Sequence, residues 1–476
     1  MASTTEDCVW ASDHHGIVMD FHHFILLGAG SDVACRYVFP ALAELEAANQ
    51  LPQEFVILGI TRKVWQDDGT FRRHIEARVK ECGSTANLSA LPKLLTRVNQ
   101  ASVDLSDIRR FKNVIGTIRD PVVLYLGLPP AISEGIVGRL GELGLSAESR
   151  IMIEKPFGHN LQSAQDLNRG VHKIFPEDHI FRVDHFLAKQ TVQNILGIRF
   201  ANRVLESVWD HQHVERVEIV WEETNSLEGR IGYYDAAGAL KDMIQNHLLQ
   251  LMCLLALEPP SELTEPELHD RKIELLKAVR PFTEEEIAAN TTRSRYTAGQ
   301  IAGRAVKGYV DEPGVDTKRR TETFAEVRFF IDNPRWSNVP FVLRTGKALK
   351  EDRQGISVFF KPPRHSTFVS SQVLRSNELR LSLKPDQVGL VINVNGPGNP
   401  LEAEPVELHT DLAPEPMSPY ASLIRDVLMG NSMFFIRDDE AEEAWKVIDP
   451  IVAAWKKDLV PLQSYPAGSL GPPALG

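Results

Sequence analysis

At 476 residues the chain is long for a single hydrophobic core and points to two domains. Its 43% hydrophobic and 24% charged residues suit an ordinary globular protein; no apolar run approaches a membrane span, and no basic-then-apolar leader opens the N-terminus. The formal charge of −12 argues against nucleic acid as the main partner, and it disfavours an anionic ligand unless a local cluster of Lys, Arg and His reverses the field.

Residues 1–20 lack periodicity and are expected to form a mobile tail, whose paired histidines, with His22 and His23 just after it, offer at most adventitious metal binding. Cys8, Cys35, Cys82 and Cys253 are scattered without metal-ligand or disulfide-framework spacing, so cytoplasmic residence is the simplest expectation. Residues 23–28, HFILLG, are predicted to form a buried strand running into GAGSDV at 28–33, and a helix follows with Val38, Leu42 and Leu45 on its apolar face. Strand, glycine turn and helix open a dinucleotide-binding βαβ unit, because glycine lets the backbone approach a pyrophosphate and the helix N-terminus favours its charge. A glycine turn without a cofactor is the plain alternative. The next strand, EFVILGITR at 54–62, ends in Thr61, Arg62 and Lys63 with no acid until Asp67, unlike NAD-specific units, which place a ribose-binding acid near that point.

Residues 64–118 read mainly as helices and connections. PVVLYLGLPP at 121–130 reads as a buried strand, 131–144 as a helix, and RIMIE at 150–154 as the last strand of this half. It delivers Lys155-Pro156-Phe157-Gly158, in which proline restricts Lys155 to extended geometry. FRVDHFLAKQ at 181–190 then brings Arg182, Asp184, His185 and Lys189 together, ahead of helical spacing from Leu187 to Phe200. If His185 and Lys189 are both helical, they project from one face as a clamp for phosphate or carboxylate. A capped helix start carrying surface charge accounts for the same stretch.

Beyond residue 184, segments at 214–223, 323–332, 340–346, 355–361, 378–385 and 388–396 alternate like strands with one buried face, which suggests an antiparallel sheet. Between them LKDMIQNHLLQLMCLLALEPP, 240–260, is an apolar helix stopped by Pro259 and Pro260 that carries Asp242 and His247. A lone histidine on such a helix is by default a hydrogen-bonded core residue; it becomes a base when a carboxylate orients it near a substrate hydroxyl.

EKPFG at 154–158, RVDHFLAKQ at 182–190, KDMIQNHLLQ at 241–250 and RTGKAL at 344–349 together resemble the glucose-6-phosphate 1-dehydrogenase family in order and spacing. The resemblance runs from about residue 24 to about residue 472. It implies a Rossmann-like α/β dinucleotide-binding domain over 21–183 and a larger β+α domain over 184–476, whose mostly antiparallel sheet would form a homodimer or homotetramer interface. It also implies oxidation of glucose 6-phosphate at C1. His247 would be the base and Asp184 its orienting carboxylate, while His185 and Lys189 would bind the 6-phosphate as charged donors. Lys155, Glu223, Asp242 and Lys347 would hold sugar hydroxyls. Gly28, Gly30, Ser31 and Asp32 of the turn, Pro129, Lys155 and Pro156 would meet the cofactor, with a cis peptide before Pro156. Arg62 matches the family arginine for a 2′-phosphate, so NADP is expected over NAD, although some relatives use both. No metal is required, and 418–455 resembles the family's C-terminal helices.

Four departures from the family pattern stand out. Gly30 and Ser31 reverse a usual Ser–Gly order, Phe186 replaces a tyrosine, and Ala188 replaces a glycine. After Lys347 the family has a second basic residue, for which Lys350 or Arg353 is the counterpart here. Losing the tyrosine hydroxyl would cost roughly 1.5–3 kcal/mol if it served a charged group. These changes leave open a diverged enzyme acting on another hexose or hexose phosphate, and a non-catalytic NADP-binding homologue.

Overall fold

The computed structural model describes residues 21–83, 88–227, 231–363, 374–396, 402–413 and 415–475. The expected tail at 1–20, with His14, His15 and Cys8, lies outside them. The chain divides into two compact units: Met1–Ile153 with Lys173–Phe181 and Tyr420–Ser432, and Glu154–His172 with Arg182–Pro419 and Met433–Gly476.

The first unit is built on a sheet of β1 (His23–Leu27), β2 (Val56–Thr61), β3 (Val98–Ser102), β4 (Val122–Leu126), β5 (Arg150–Glu154) and β6 (Ile180–Val183), in the order β3-β2-β1-β4-β5-β6. The pairs from β3 through β5 are parallel. Phe24–Leu27 and Val122–Leu126 are buried throughout, as expected of parallel strands covered on both faces. Asp67 and Asp107 cap the helices Asp68–Glu81 and Ile108–Ile115 by accepting from Thr70 N (2.6 Å) and Arg110 N (3.1 Å). The sequence Val98–Ser102, expected to be connection, is β3 at the sheet edge. The helix predicted over 131–144 is the helix Pro130–Val137 and a separate turn of 3₁₀ helix, Leu140–Leu143, ended by Gly144 at φ 67°.

The second unit holds β7 (Val214–Glu222), β8 (Thr291–Thr297), a small hairpin of β9 (Gly299–Ile301) and β10 (Arg304–Val306), β11 (Phe324–Phe329), β12 (Phe341–Gly346), β13 (Arg353–Phe360), β14 (Glu378–Leu383), β15 (Asp386–Asn395), β16 (Ala403–Asp411) and β17 (Leu462–Pro466). Nine of these strands form one sheet in the order β16-β15-β14-β13-β7-β12-β11-β8-β17. Its pairs are antiparallel except β7–β12 and β8–β17, so the expected sheet is mixed at two places. The segment expected as one helix over 240–260 is a π-helical stretch, Leu240–Leu248, continued by the α-helix Leu249–Ala256; from Leu248 to Leu257 every residue is buried. The C-terminal helices are Pro419–Met429 and Asp438–Lys456.

Candidate active site

In the first unit, β1 delivers Gly28 in the left-handed region (φ 77°), where a Cβ would lie 2.3 Å from the Gly127 carbonyl oxygen. Gly28 N and Ala29 N donate to Ile60 O at 3.0 and 3.2 Å, which fixes the turn against the end of β2. Ser31 Oγ accepts from Ala34 N at 3.2 Å and so caps the helical segment that follows. A Cβ on Gly30 would approach nothing closer than Thr61 Cγ2 at 4.0 Å, so the protein leaves space over this peptide. The turn borders a cleft of about 1010 Å³ whose lining includes Gly28, Gly30, Ser31, Arg62 and Pro129. Lys63 and Arg139 line it too, and give it a basic rim with Arg62. A backbone cradle and three cations suit an anionic dinucleotide. Asp32, expected to meet the cofactor, instead pairs with Arg36 at 3.1 Å and is not a lining residue.

In the second unit, Asp184 follows β6 in a turn where its Oδ1 accepts from Phe186 N at 3.0 Å. The same oxygen lies 2.5 Å from His247 Nδ1, with both side chains buried. Nδ1–H donation to the carboxylate leaves Nε2 as the acceptor. Phe186 stacks on the His247 ring, centroids 4.0 Å apart and planes at 12°. His247 is placed by the π-helical stretch. Gly238, at φ 73°, breaks the helix before it, and the Glu322 carboxylate accepts from Leu240 N at 3.0 Å. Burial opposes the Asp184 charge, but His247 and the hydrogen bonds hold its pKa down, to about 2. Burial pushes the His247 imidazole below its ordinary value, against the pull of Asp184 and with Lys155 adding to it. The pair at neutral pH is therefore a carboxylate and a neutral imidazole, the state a general base requires.

Two lysine–carboxylate pairs adjoin the dyad. Lys155, after β5 and in a cis peptide with Pro156, donates to Asp242 O at 2.9 Å and Asp242 Oδ1 at 3.3 Å. Burial opposes the Asp242 charge, and Lys155, Lys347 and His247 hold its pKa below the usual value. Because β7 and β12 run parallel with Glu222 opposite Gly346, the residues that follow them meet, and Lys347 Nζ bonds Glu223 Oε2. Asp184, His185 and His247 also place candidate ligand atoms within 4.8 Å of one another, a spacing open to a metal ion.

His185 and Lys189 do not share a helix face. The helix begins at Gln190 with Lys189 as its N-cap, and His185 lies in the preceding turn. Burial, then His247, pushes His185 well below its ordinary pKa, so it offers a neutral N–H where a charged donor was expected. Lys189 Nζ sits over the rings of Phe186 (4.8 Å) and Trp221 (4.6 Å), and its pKa is lowered by burial. Asp386 and Glu415 oppose that lowering, while Lys384 adds to it. Asp386 accepts from Thr191 Oγ1 at 2.5 Å and Glu415 accepts from Gln190 N, so both acids sit at the start of the Lys189 helix. Trp221, Lys384, Asp386 and Glu415 were not anticipated, since only the fold carries them to Lys189.

Arg182 is anchored in the core by Asn168 Oδ1 (2.9 Å) and Ile436 O (3.3 Å). Arg353 bonds Glu222 at 3.3 Å and Lys350 is exposed, so Arg353 is committed to a strand neighbour.

Residues 25–194 match the family model described as "Glucose-6-phosphate dehydrogenase, NAD binding domain" and residues 196–476 match "Glucose-6-phosphate dehydrogenase, C-terminal domain". The chain is 37% identical over 475 residues to a glucose-6-phosphate 1-dehydrogenase of Treponema pallidum, covering 95% of this chain and 92% of that protein. It is 36% identical over 464 residues to the Zymomonas mobilis enzyme of the same name, covering 94% and 95%. Among solved structures, a glucose-6-phosphate dehydrogenase in complex with its substrate glucose 6-phosphate superposes with a TM-score of 0.85 at 30% identity, covering 96% of each chain. With both halves matched in order and nearly full-length relatives on either side, the chain belongs to the glucose-6-phosphate dehydrogenase family.

Proposed function

We propose that the chain oxidises glucose 6-phosphate at C1 to 6-phosphoglucono-1,5-lactone, with NADP as the hydride acceptor. The observation that carries this reading is the buried 2.5 Å contact between His247 Nδ1 and Asp184 Oδ1, which leaves a neutral Nε2 to act as base. His247 removes the proton of the C1 hydroxyl, and Asp184 stabilises the imidazolium that forms. Lys155, Asp242, Glu223 and Lys347 hold sugar hydroxyls and fix C1, which is catalysis by positioning. Lys189 and His185 receive the 6-phosphate, whose dianion would draw a proton back onto His185. Gly28, Gly30 and Ser31 receive the pyrophosphate, Arg62 the 2′-phosphate, and Pro129, Lys155 and Pro156 the nicotinamide side. Residues 21–183 thus serve the dinucleotide and 184–476 the sugar, with Lys155 serving both.

A homodimer through the large sheet is part of the proposal, supported by Leu408 and Val394 standing exposed on β16 and β15; light scattering of purified protein tests it. The thiols of Cys35, Cys82 and Cys253 are free, as suits the reducing cytoplasm proposed for this enzyme. The reaction is tested by initial rates of reduced-cofactor formation with NADP or NAD paired with glucose 6-phosphate or glucose. Turnover much faster with NADP and the phosphate ester than with NAD or free glucose is expected. Asp386 and Glu415 beside Lys189 favour a second reading, a hexose whose C6 group is not a dianion. Activity on a free or amino hexose alone would select that reading.

A further inference from the structure

A cleft of about 570 Å³ in the second unit belongs to neither proposed site. Lys241, Arg293, Lys318, Arg319, Arg320 and Lys456 line it, in a chain whose net charge is −12. The carboxylates among them are largely neutralised or occupied. Asp235 accepts from Tyr309 OH (2.7 Å), Asp316 N (3.1 Å) and Arg319 (3.1 Å). Burial raises the pKa of Glu322, which also accepts from Leu240 N. Asp458 bridges Arg293 (2.8 Å) and Arg320 (2.7 Å) from outside the lining. Lys318 and Lys456 have no ion-pair partner among the described residues, and Lys241 Nζ reaches only the Ala236 carbonyl, at 3.2 Å. Arg320 holds its place in the left-handed region, φ 55°, where a non-glycine residue is uncommon.

We infer that this cleft binds an oligophosphate, the di- or triphosphate group of a small molecule. Three lysines with unspent donors, spread around a cleft of this volume, suit a chain of charges better than a single tetrahedral ion. Val452, with the edges of the buried Leu240 and Trp455, gives one wall a small apolar patch against which a nucleoside attached to the phosphates would pack. Lys241 faces this cleft from the same π-helical stretch that carries Asp242 and His247.

The test is calorimetric titration of the full chain with sodium tripolyphosphate at about 0.15 M salt, to screen weak surface binding. Glucose 6-phosphate and NADPH are kept saturating, a combination that fills both proposed sites without turnover. One-site binding is expected, weakened about tenfold or more in Lys318→Glu/Lys456→Glu, with the variant's Tm and kcat unchanged. ATP in place of tripolyphosphate separates the sources: equal affinity assigns recognition to the phosphates, and tighter binding adds the apolar wall. Absence of saturable binding, or binding that the double variant keeps undiminished, overturns the inference.

Discussion

In the dinucleotide cleft the backbone does the holding: peptide groups of Gly28 and Ala29 are tied to Ile60, space is left over Gly30, and Arg62 and Lys63 at the rim are exposed. Around His247 the side chains do it: a buried hydrogen bond between the Asp184 carboxylate and the neutral imidazole, beside the partly buried Lys155–Asp242 ion pair, holds both carboxylates in their charged form. The difference predicts two kinds of sensitivity. A rim cation can be removed with a loss confined to the ligand group it meets. In the buried cluster, removing one charge also disturbs the protonation of its neighbours.

The largest effect is expected at Asp184. Asp184→Asn should lower kcat by about 10²–10⁴-fold while leaving sugar binding measurable. The sign of its pH effect follows from the charges. In the proposed reaction His247 works when neutral, so activity should rise with pH through its pKa; without the Asp184 anion, burial acts unopposed and the acid limb of kcat should move to lower pH. A limb that moves upward in the kcat–pH profile contradicts the dyad. Lys189→Ala should raise KM for glucose 6-phosphate about 10–100-fold by removing a charge-assisted donor, with little change for free glucose. Equal losses on both sugars would remove Lys189 from the phosphate end. At the rim, Arg62→Ala should raise KM for NADP about tenfold and leave NAD kinetics alone; a matching change with NAD would mean that Arg62 shapes the turn. The smallest effect is expected from Phe186→Tyr. In a site packed around phenylalanine a restored hydroxyl should recover only part of the roughly 1.5–3 kcal/mol of such a bond, lowering KM for the phosphate ester by roughly two- to tenfold, and an unchanged KM would leave Phe186 its packing against His247 and Lys189.

Much of this was legible where one physical signal dominated. Buried apolar runs marked β1, β4 and β5, and alternation marked β7 and β11 to β15. The glycine turn announced a dinucleotide cleft, and motif order announced the family. β16 was missed because its residues are mostly exposed, so no buried face imposes alternation on EPVELHTD. β8 was missed for the opposite reason. TTRSRYT is polar but buried, its Arg293 satisfied by Val460 O (2.8 Å) and Asp458 (2.8 Å) from far along the chain. Helical spacing from Leu187 suggested a shared face for His185 and Lys189, whereas the Asp184–Phe186 hydrogen bond turns the chain and delays the helix to Gln190. The π-helical placement of His247 is invisible to apolar periodicity, because from Met243 to Leu257 every residue is buried and no polar face marks the turn.

In the proposed reaction neutral His247, held by Asp184, takes the proton of the reacting hydroxyl. Turnover by His247→Asn with saturating glucose 6-phosphate and NADP tests it most directly, beside equilibrium binding of the sugar phosphate. A kcat lowered by about 10³-fold with binding kept within a few-fold is the predicted result. A variant that binds normally and keeps kcat near that of the wild type would contradict the assignment.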